Sequence, residues 1–315
     1  MSNRGSGGPN VDTEVFDAGV DQLPDHPPFV HKLKGNFQQS DLLFISIVPA
    51  VLVSVFKLPL EMRRSLAFDS ANPSMVTAFT SNYIHFTADH LLGNVGWYLL
   101  IISLAYLLAI TNEHRSRFFA TLLAILLLLP IPLSFLTLAV PRPGVSIGFS
   151  GLNMALFGFV VVEFAAYLDE YFTDNFGVEN APAFFFLVTT FVALPHAETW
   201  WGYGIALSSL FLAAVYSVAF LWSFQPSFSG LSDAVDKQGY FELSIVTLVV
   251  MVGFVPIAFP QDPVVEEGII NVYVHFVGFC LGFISVYLGV LLTTPAQPRR
   301  AVPAPPMRRD SHAEG

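Results

Sequence analysis

Three polar clusters interrupt otherwise apolar sequence, and each is of a type that can move protons or steady a developing charge. The first is His85-Phe-Thr-Ala-Asp-His90-Leu-Leu-Gly-Asn94. In a helix, His90 and Asn94 stand at i and i+4, one above the other on a single face. An imidazole and a carboxamide aimed the same way can both donate to one oxygen atom; a pair that merely bonds to a neighbouring helix is the equally simple alternative. His85 lies roughly 140° round such a helix, or already in the preceding loop, where it would stiffen the entry. The second cluster, Gly148-Phe149-Ser150-Gly151, sits where a loop becomes a helix. Glycine permits close backbone approach and unusual φ, and the first N–H groups of a helix have no partner. A serine there holds its hydroxyl beside free donors, as an oxyanion hole requires, although a serine cap with glycine packing is the plainer reading of that motif alone. The third is His275 followed by Gly278 and Gly282, a small-residue face that lets another helix approach closely. A neutral imidazole close to a serine can accept its proton and return it, whereas a lone membrane histidine is more often a bonded structural residue.

The elements that must position these groups follow from composition. Of the 315 residues, 54% are hydrophobic and only 12% charged, with mean hydropathy +0.61. Soluble domains carry about 25% charged residues, so the composition argues against a water-soluble enzyme. The net charge of −10 argues against nucleic acid as a partner. The single cysteine, Cys280, leaves no intramolecular disulfide and no thiolate metal cluster. Eight apolar stretches read as membrane spans: Asp41–Lys57, Leu91–Ile110, Phe118–Val140, Ser150–Leu168, Pro182–His196, Trp201–Phe224, Phe241–Phe259 and Ile270–Leu292. The fifth is short and ends at Pro195, as a re-entrant segment would. Residues 1–40 and 294–315 are expected to be polar tails flanking a transmembrane domain at 41–293, and the first 40 hold no apolar core of signal-peptide length. Charged side chains within spans are unfavourable by about 2.5–3.5 kcal/mol, which makes the buried polar clusters functional candidates.

In combination the clusters resemble the rhomboid family of intramembrane serine proteases. The resemblance rests on His85-x4-His90-x3-Asn94, Gly148-x-Ser150-Gly151 and His275-x2-Gly278-x3-Gly282 in the family's order, with Ala155 and Gly158 also fitting its fourth helix. It implies Ser150 as nucleophile and His275 as general base, without a carboxylate or any metal or cofactor. It further implies an oxyanion hole of His90, Asn94 and the Ser150 backbone N–H, with His85, Gly148, Gly151, Met154, Gly278 and Gly282 in support. The implied fold is an all-α polytopic membrane protein, a six-helix rhomboid-like core carrying about two extra helices. The implied substrates are single-pass or multi-pass membrane proteins in the lipid bilayer. The sequence departs from the family at three places. Met154 stands where a tyrosine often stacks on the catalytic histidine. The Trp-Arg pair of the first external loop is missing, although Arg63 and Arg64 lie there. Apolar sequence around Tyr106 replaces an acidic residue of the second helix.

Parity and charge constrain the topology. Ser150 begins the fourth stretch and His275 lies near the start of the eighth, so an odd number of crossings must separate them if both share one face; this favours eight spans. With a cytoplasmic N-terminus, ten of the fourteen Lys and Arg residues lie inside, among them Lys32, Arg115 and Arg117. Lys57, Arg63, Arg64 and Arg142 lie outside, which fits the positive-inside rule and an active site facing outward in the cell membrane. Competing readings are a non-catalytic rhomboid-like protein that binds client helices, a metal or haem protein using His85, His90 and His275, and a transporter. Asn94 is a poor transition-metal ligand, and no internal repeat of the transporter kind is evident. Glu163 is expected to snorkel at the inner interface, His196 to anchor at an interface with Trp200 and Trp201, and Phe184–Phe186 to face lipid or pack.

Overall fold

A computed structural model describes residues 27–140, 144–172, 177–223, 235–265 and 268–293. Residues 1–26 of the expected N-terminal tail, the whole of the expected C-terminal tail (294–315) and Arg142 lie outside the described residues. The chain is built from helices α1 (Phe29–Asn36), α2 (Gln39–Phe56), α3 (Leu60–Ser65), α4 (Met75–Thr80), α5 (Ala88–Thr111), α6 (Arg115–Leu127), α7 (Pro130–Leu136), α8 (Ser150–Tyr171), α9 (Ala181–Ala193), α10 (Trp200–Ser223), α11 (Tyr240–Ala258) and α12 (Val272–Thr293). Two-residue strands form two small antiparallel ribbons, β1 (Phe68–Asp69) with β2 (Val145–Ser146) and β3 (Val264–Val265) with β4 (Gly268–Ile269). Among the described residues, six helices, α2, α5, α8, α10, α11 and α12, are long and apolar enough to cross a membrane, the make-up of a polytopic integral membrane protein.

Burial ranks these helices. In α8, 89% of the apolar window is buried, against 17% in α10, so α8 is the central post and α10 lies at the edge. The α8–α12 pair is the most extensive contact, followed by α9 with α10 and α5 with α8. Close approach of α12 to α8 follows from glycine on both sides. A Cβ at Gly278 would strike the Gly151 carbonyl, one at Gly282 the Ala155 backbone, and one at Gly158 the backbone of Phe279 and Phe283. Phe185 of α9 stacks on Phe279 and Phe283, and Phe184 packs on Phe164, so these two phenylalanines are packing surface.

Several expectations are corrected. The third apolar stretch is not one straight helix: α6 and α7 meet at 49°. Pro130 and Pro132 follow the break, and a proline ring lacks the N–H and crowds the carbonyl four residues earlier. The fifth stretch forms only thirteen helical residues, about 20 Å at 1.5 Å per residue, short of a hydrocarbon core of about 30 Å. Residues 29–36, expected within a polar tail, form α1 docked on α5. Asn36 Nδ2 donates to the Ile110 carbonyl at 3.0 Å, Lys32 pairs with Glu113, and Phe29 sets its ring against Tyr240.

The largest correction concerns charge. Glu163 does not snorkel: it is 0% exposed and held by Arg117 (3.0 Å), His114 (2.8 Å) and Asn112 (3.2 Å). A second buried carboxylate, Asp41, takes two hydrogen bonds from Arg115 and one from Tyr106 (2.6 Å). The residue standing in apolar sequence on α5 is thus a phenol donating to an acid on α2. These two nodes lock the α5–α6 turn to α2 and α8. Glu163→Ala strips Arg117 of its counter-charge and leaves His114 and Asn112 without their acceptor, and breaking such a buried pair destabilises by about 3 kcal/mol. Thermal unfolding in detergent should show that loss. Glu163 lies thirteen residues, about 20 Å, along α8 from the polar cluster at Ser150, so the surroundings of that cluster should change little well below the melting temperature.

Candidate active site

Ser150 is the first residue of α8, entered through Gly148 at φ +109°, a value that favours glycine. The Gly148 N–H donates to the Ser81 carbonyl at 3.0 Å. Within the first turn, the Leu152 and Asn153 N–H groups are taken by the Phe149 carbonyl (3.0 and 3.1 Å). The Ser150 and Gly151 N–H groups precede the first position at which a helix supplies an acceptor. Ser150 is half-buried. The helix opening therefore carries a hydroxyl and two early amides that the helix itself does not engage.

His90 and Asn94 come from α5, whose start is fixed by Thr87 capping the His90 N–H at 3.3 Å. A Cβ on Gly148 would lie 2.8 Å from both Cε1 and Nε2 of His90 and 3.9 Å from Asn94 Nδ2. Both side chains thus lie against the turn that carries Ser150. Asn94 Nδ2 spends one hydrogen on the His90 carbonyl at 3.0 Å and keeps a second for another acceptor. Gly148→Ala places a methyl group in the His90 ring and a side chain at positive φ. The expected result is a fall of about 10²-fold in reaction with a serine-directed fluorophosphonate, comparable to losing one oxyanion donor; stopped-time labelling measures it.

His85 lies in the loop before α5 and is fully buried, with its ring edge-on to His90 at 4.8 Å between centroids. Burial, reinforced by the neighbouring His90, pushes its pKa down to about 3, so the ring is neutral. Its Nε2 accepts from the Phe149 N–H at 3.4 Å, which ties the α5 entry to the Ser150 turn. Arg63, itself buried, donates to the His85 (2.5 Å) and Phe86 (3.3 Å) carbonyls and lies over the Phe56 ring. One arginine of the first loop thus organises the same entry.

His275 is buried on the first turn of α12, which Asn271 caps by accepting from the Val274 N–H at 3.2 Å. Its Nδ1 pairs with the Ala258 carbonyl at 2.7 Å. A carbonyl only accepts, so Nδ1 carries the hydrogen and, in the neutral ring, Nε2 holds the free lone pair. That is the tautomer a general base needs. Ala258 ends α11, so its carbonyl is one that the helix leaves unsatisfied and lies at the negative end of the helix dipole. Phe259 sets its ring perpendicular to the imidazole at 6.1 Å. Sequence reading missed both partners: a backbone acceptor leaves no residue signature, and Phe259 is one of 31 phenylalanines.

Ser150, His275, His90, Asn94, Gly148 and Met154 all line one cavity of roughly 900 Å³. Gly151 packs on Val274, the residue before His275, so the openings of α8 and α12 are adjacent although the two residues stand 125 apart in sequence. No hydrogen bond joins the Ser150 hydroxyl to His275 among the described residues. Gly278 and Gly282 lie outside the cavity and act by letting α12 reach α8; His85 acts from behind the Ser150 turn. Compared with known proteins, the chain matches no family model, no curated protein and no solved structure.

Away from the cavity, His196 does more than sit at an interface. Its Nδ1 meets the Val192 carbonyl (2.8 Å) and its Nε2 the Pro260 carbonyl (3.1 Å), which ties the end of α9 to the loop leaving α11. Trp200 and Trp201 stack on each other and are exposed.

Proposed function

We propose that the protein is a rhomboid-type intramembrane serine endopeptidase that hydrolyses peptide bonds in or beside transmembrane segments of membrane-protein substrates. The observation that carries this reading is the single cavity lined by a serine at a helix opening, a histidine whose Nε2 is the free base, and two side-chain donors against the same turn. Ser150 Oγ attacks the substrate carbonyl as His275 Nε2 takes its proton. His90, Asn94 and the Ser150 N–H stabilise the oxyanion, and His275 returns the proton to the leaving amine. Water then adds to the acyl-enzyme by the same route and frees Ser150. A substrate helix must unwind to enter, so helix-weakening residues near the cleaved bond are favoured.

The proposed architecture is an eight-span chain in which the short α9, continued back to Val178 by a 3₁₀ turn and crossing where the bilayer thins around it, pairs with α10 as the added hairpin, and α2, α5, α6–α7, α8, α11 and α12 form the core. The peripheral position of α10, which packs mainly on α9, supports that division. Both termini would be cytoplasmic and the cavity would face outward from the cell membrane. Incubation in liposomes with a generic transmembrane substrate tests the activity: wild type should release two fragments and Ser150→Ala none. A second reading, a non-cutting protein that binds client helices, is favoured by the lack of a Ser150–His275 hydrogen bond and by Met154 in place of tyrosine. Bonds of that kind often tighten only once substrate is bound. Intact substrate co-purifying with folded wild type, with no fragments, would select the binding reading.

A further inference from the structure

Among the polar side chains that line the cavity and that the reaction above does not use, Asn153 has the most exacting surroundings. Asn153 lies on α8 one turn beyond Ser150, is 2% exposed and lines the cavity. Its Nδ2 donates to the backbone carbonyl of Asn94 at 3.0 Å, and because that carbonyl only accepts, the orientation of the carboxamide is fixed. Its Oδ1 is buried without a partner among the described residues. A buried acceptor left unpaired is destabilising, and a leucine of similar size would leave nothing unpaired. Packing therefore does not account for an amide here; the bond to Asn94 does.

We propose that Asn153 is a positioning residue, tying α5 to α8 so that Asn94 and His90 are held against the turn that carries Ser150. The inference rests on the serine-protease reading. Its consequence is specific to the transition state: without the tie, α5 shifts relative to α8 and the two side-chain donors lose their aim, while the cavity still admits substrate. Asn153→Leu is then expected to melt at the same temperature as wild type or higher. Its kcat should fall about 10- to 100-fold with KM within about twofold, the signature of an interaction made only in the transition state. Acting through Asn94, it should add little to Asn94→Ala: the double variant should react no more than about twofold slower than Asn94→Ala alone.

The experiment measures fluorophosphonate labelling rates and substrate cleavage for wild type, Asn153→Leu, Asn94→Ala and the double variant, each with its melting temperature. Should the leucine variant not fold, Asn153→Ala is read in its place. An unchanged kcat, or losses that multiply in the double variant, would overturn the positioning role while leaving the protease reading intact. Wild type that neither labels nor cleaves would instead defeat the protease reading, and this inference with it.

Discussion

Ser150→Ala is expected to abolish cleavage of a transmembrane substrate, and His275→Ala to do the same. Each loss should be roughly 10⁴–10⁶-fold, with the double variant no worse than either single one, since in the proposed dyad nucleophile and base would act as one unit. The size follows from geometry. The hydroxyl of Ser150 is a weak nucleophile by itself, and only an unprotonated nitrogen within reach makes it a strong one. The Ala258 carbonyl fixes that nitrogen as Nε2 by occupying Nδ1. Ser150→Ala removes one half-buried oxygen and should leave stability within about 0.5 kcal/mol of wild type. Melting curves for both proteins in detergent, run beside the cleavage assay, separate loss of chemistry from loss of fold.

Gly282→Val should be nearly as damaging by a different route. A Cβ at 282 would meet the Ala155 backbone rather than the tip of a flexible side chain, so no rotamer change relieves it and the helices must part. The expected destabilisation is about 3 kcal/mol. Displacement of His275 from Ser150 by about 1 Å is enough to lower activity about 10²-fold even in the fraction that folds. Gly289, two turns further along α12, is the internal control, since a Cβ there would meet nothing within 4 Å. Gly289→Val should therefore melt and cleave like wild type. Equal damage from both substitutions would show that helix propensity, and not close approach to α8, sets the requirement for glycine.

The parts of this arrangement legible in sequence are those where a residue type has few physical alternatives. Gly148 at positive φ, Gly278 and Gly282 at a helix crossing, and His90 with Asn94 on one helix face are of that kind. The 54% hydrophobic composition similarly left little but membrane helices. Less legible were features made by the backbone or by distant pairing. The Ala258 carbonyl that orients His275 belongs to no motif. Glu163 looked like a lone acid near a helix end because Arg117 and His114, 46 and 49 residues away, reach it only through the α5–α6 turn. The break between α6 and α7 was written in Pro130 and Pro132, but the run of leucines before them dominated the hydropathy. Asn153 was hidden for a similar reason: a single amide in an apolar helix gains meaning only from the carbonyl opposite.

Whether Ser150 is a nucleophile activated by His275 is tested most directly by mapping the adduct that a serine-directed fluorophosphonate forms on the folded protein. The proposed dyad predicts a single phosphonylated peptide containing Ser150, formed by wild type and missing from His275→Ala. Folded wild type that takes up no label, or a label that persists in Ser150→Ala, would contradict it.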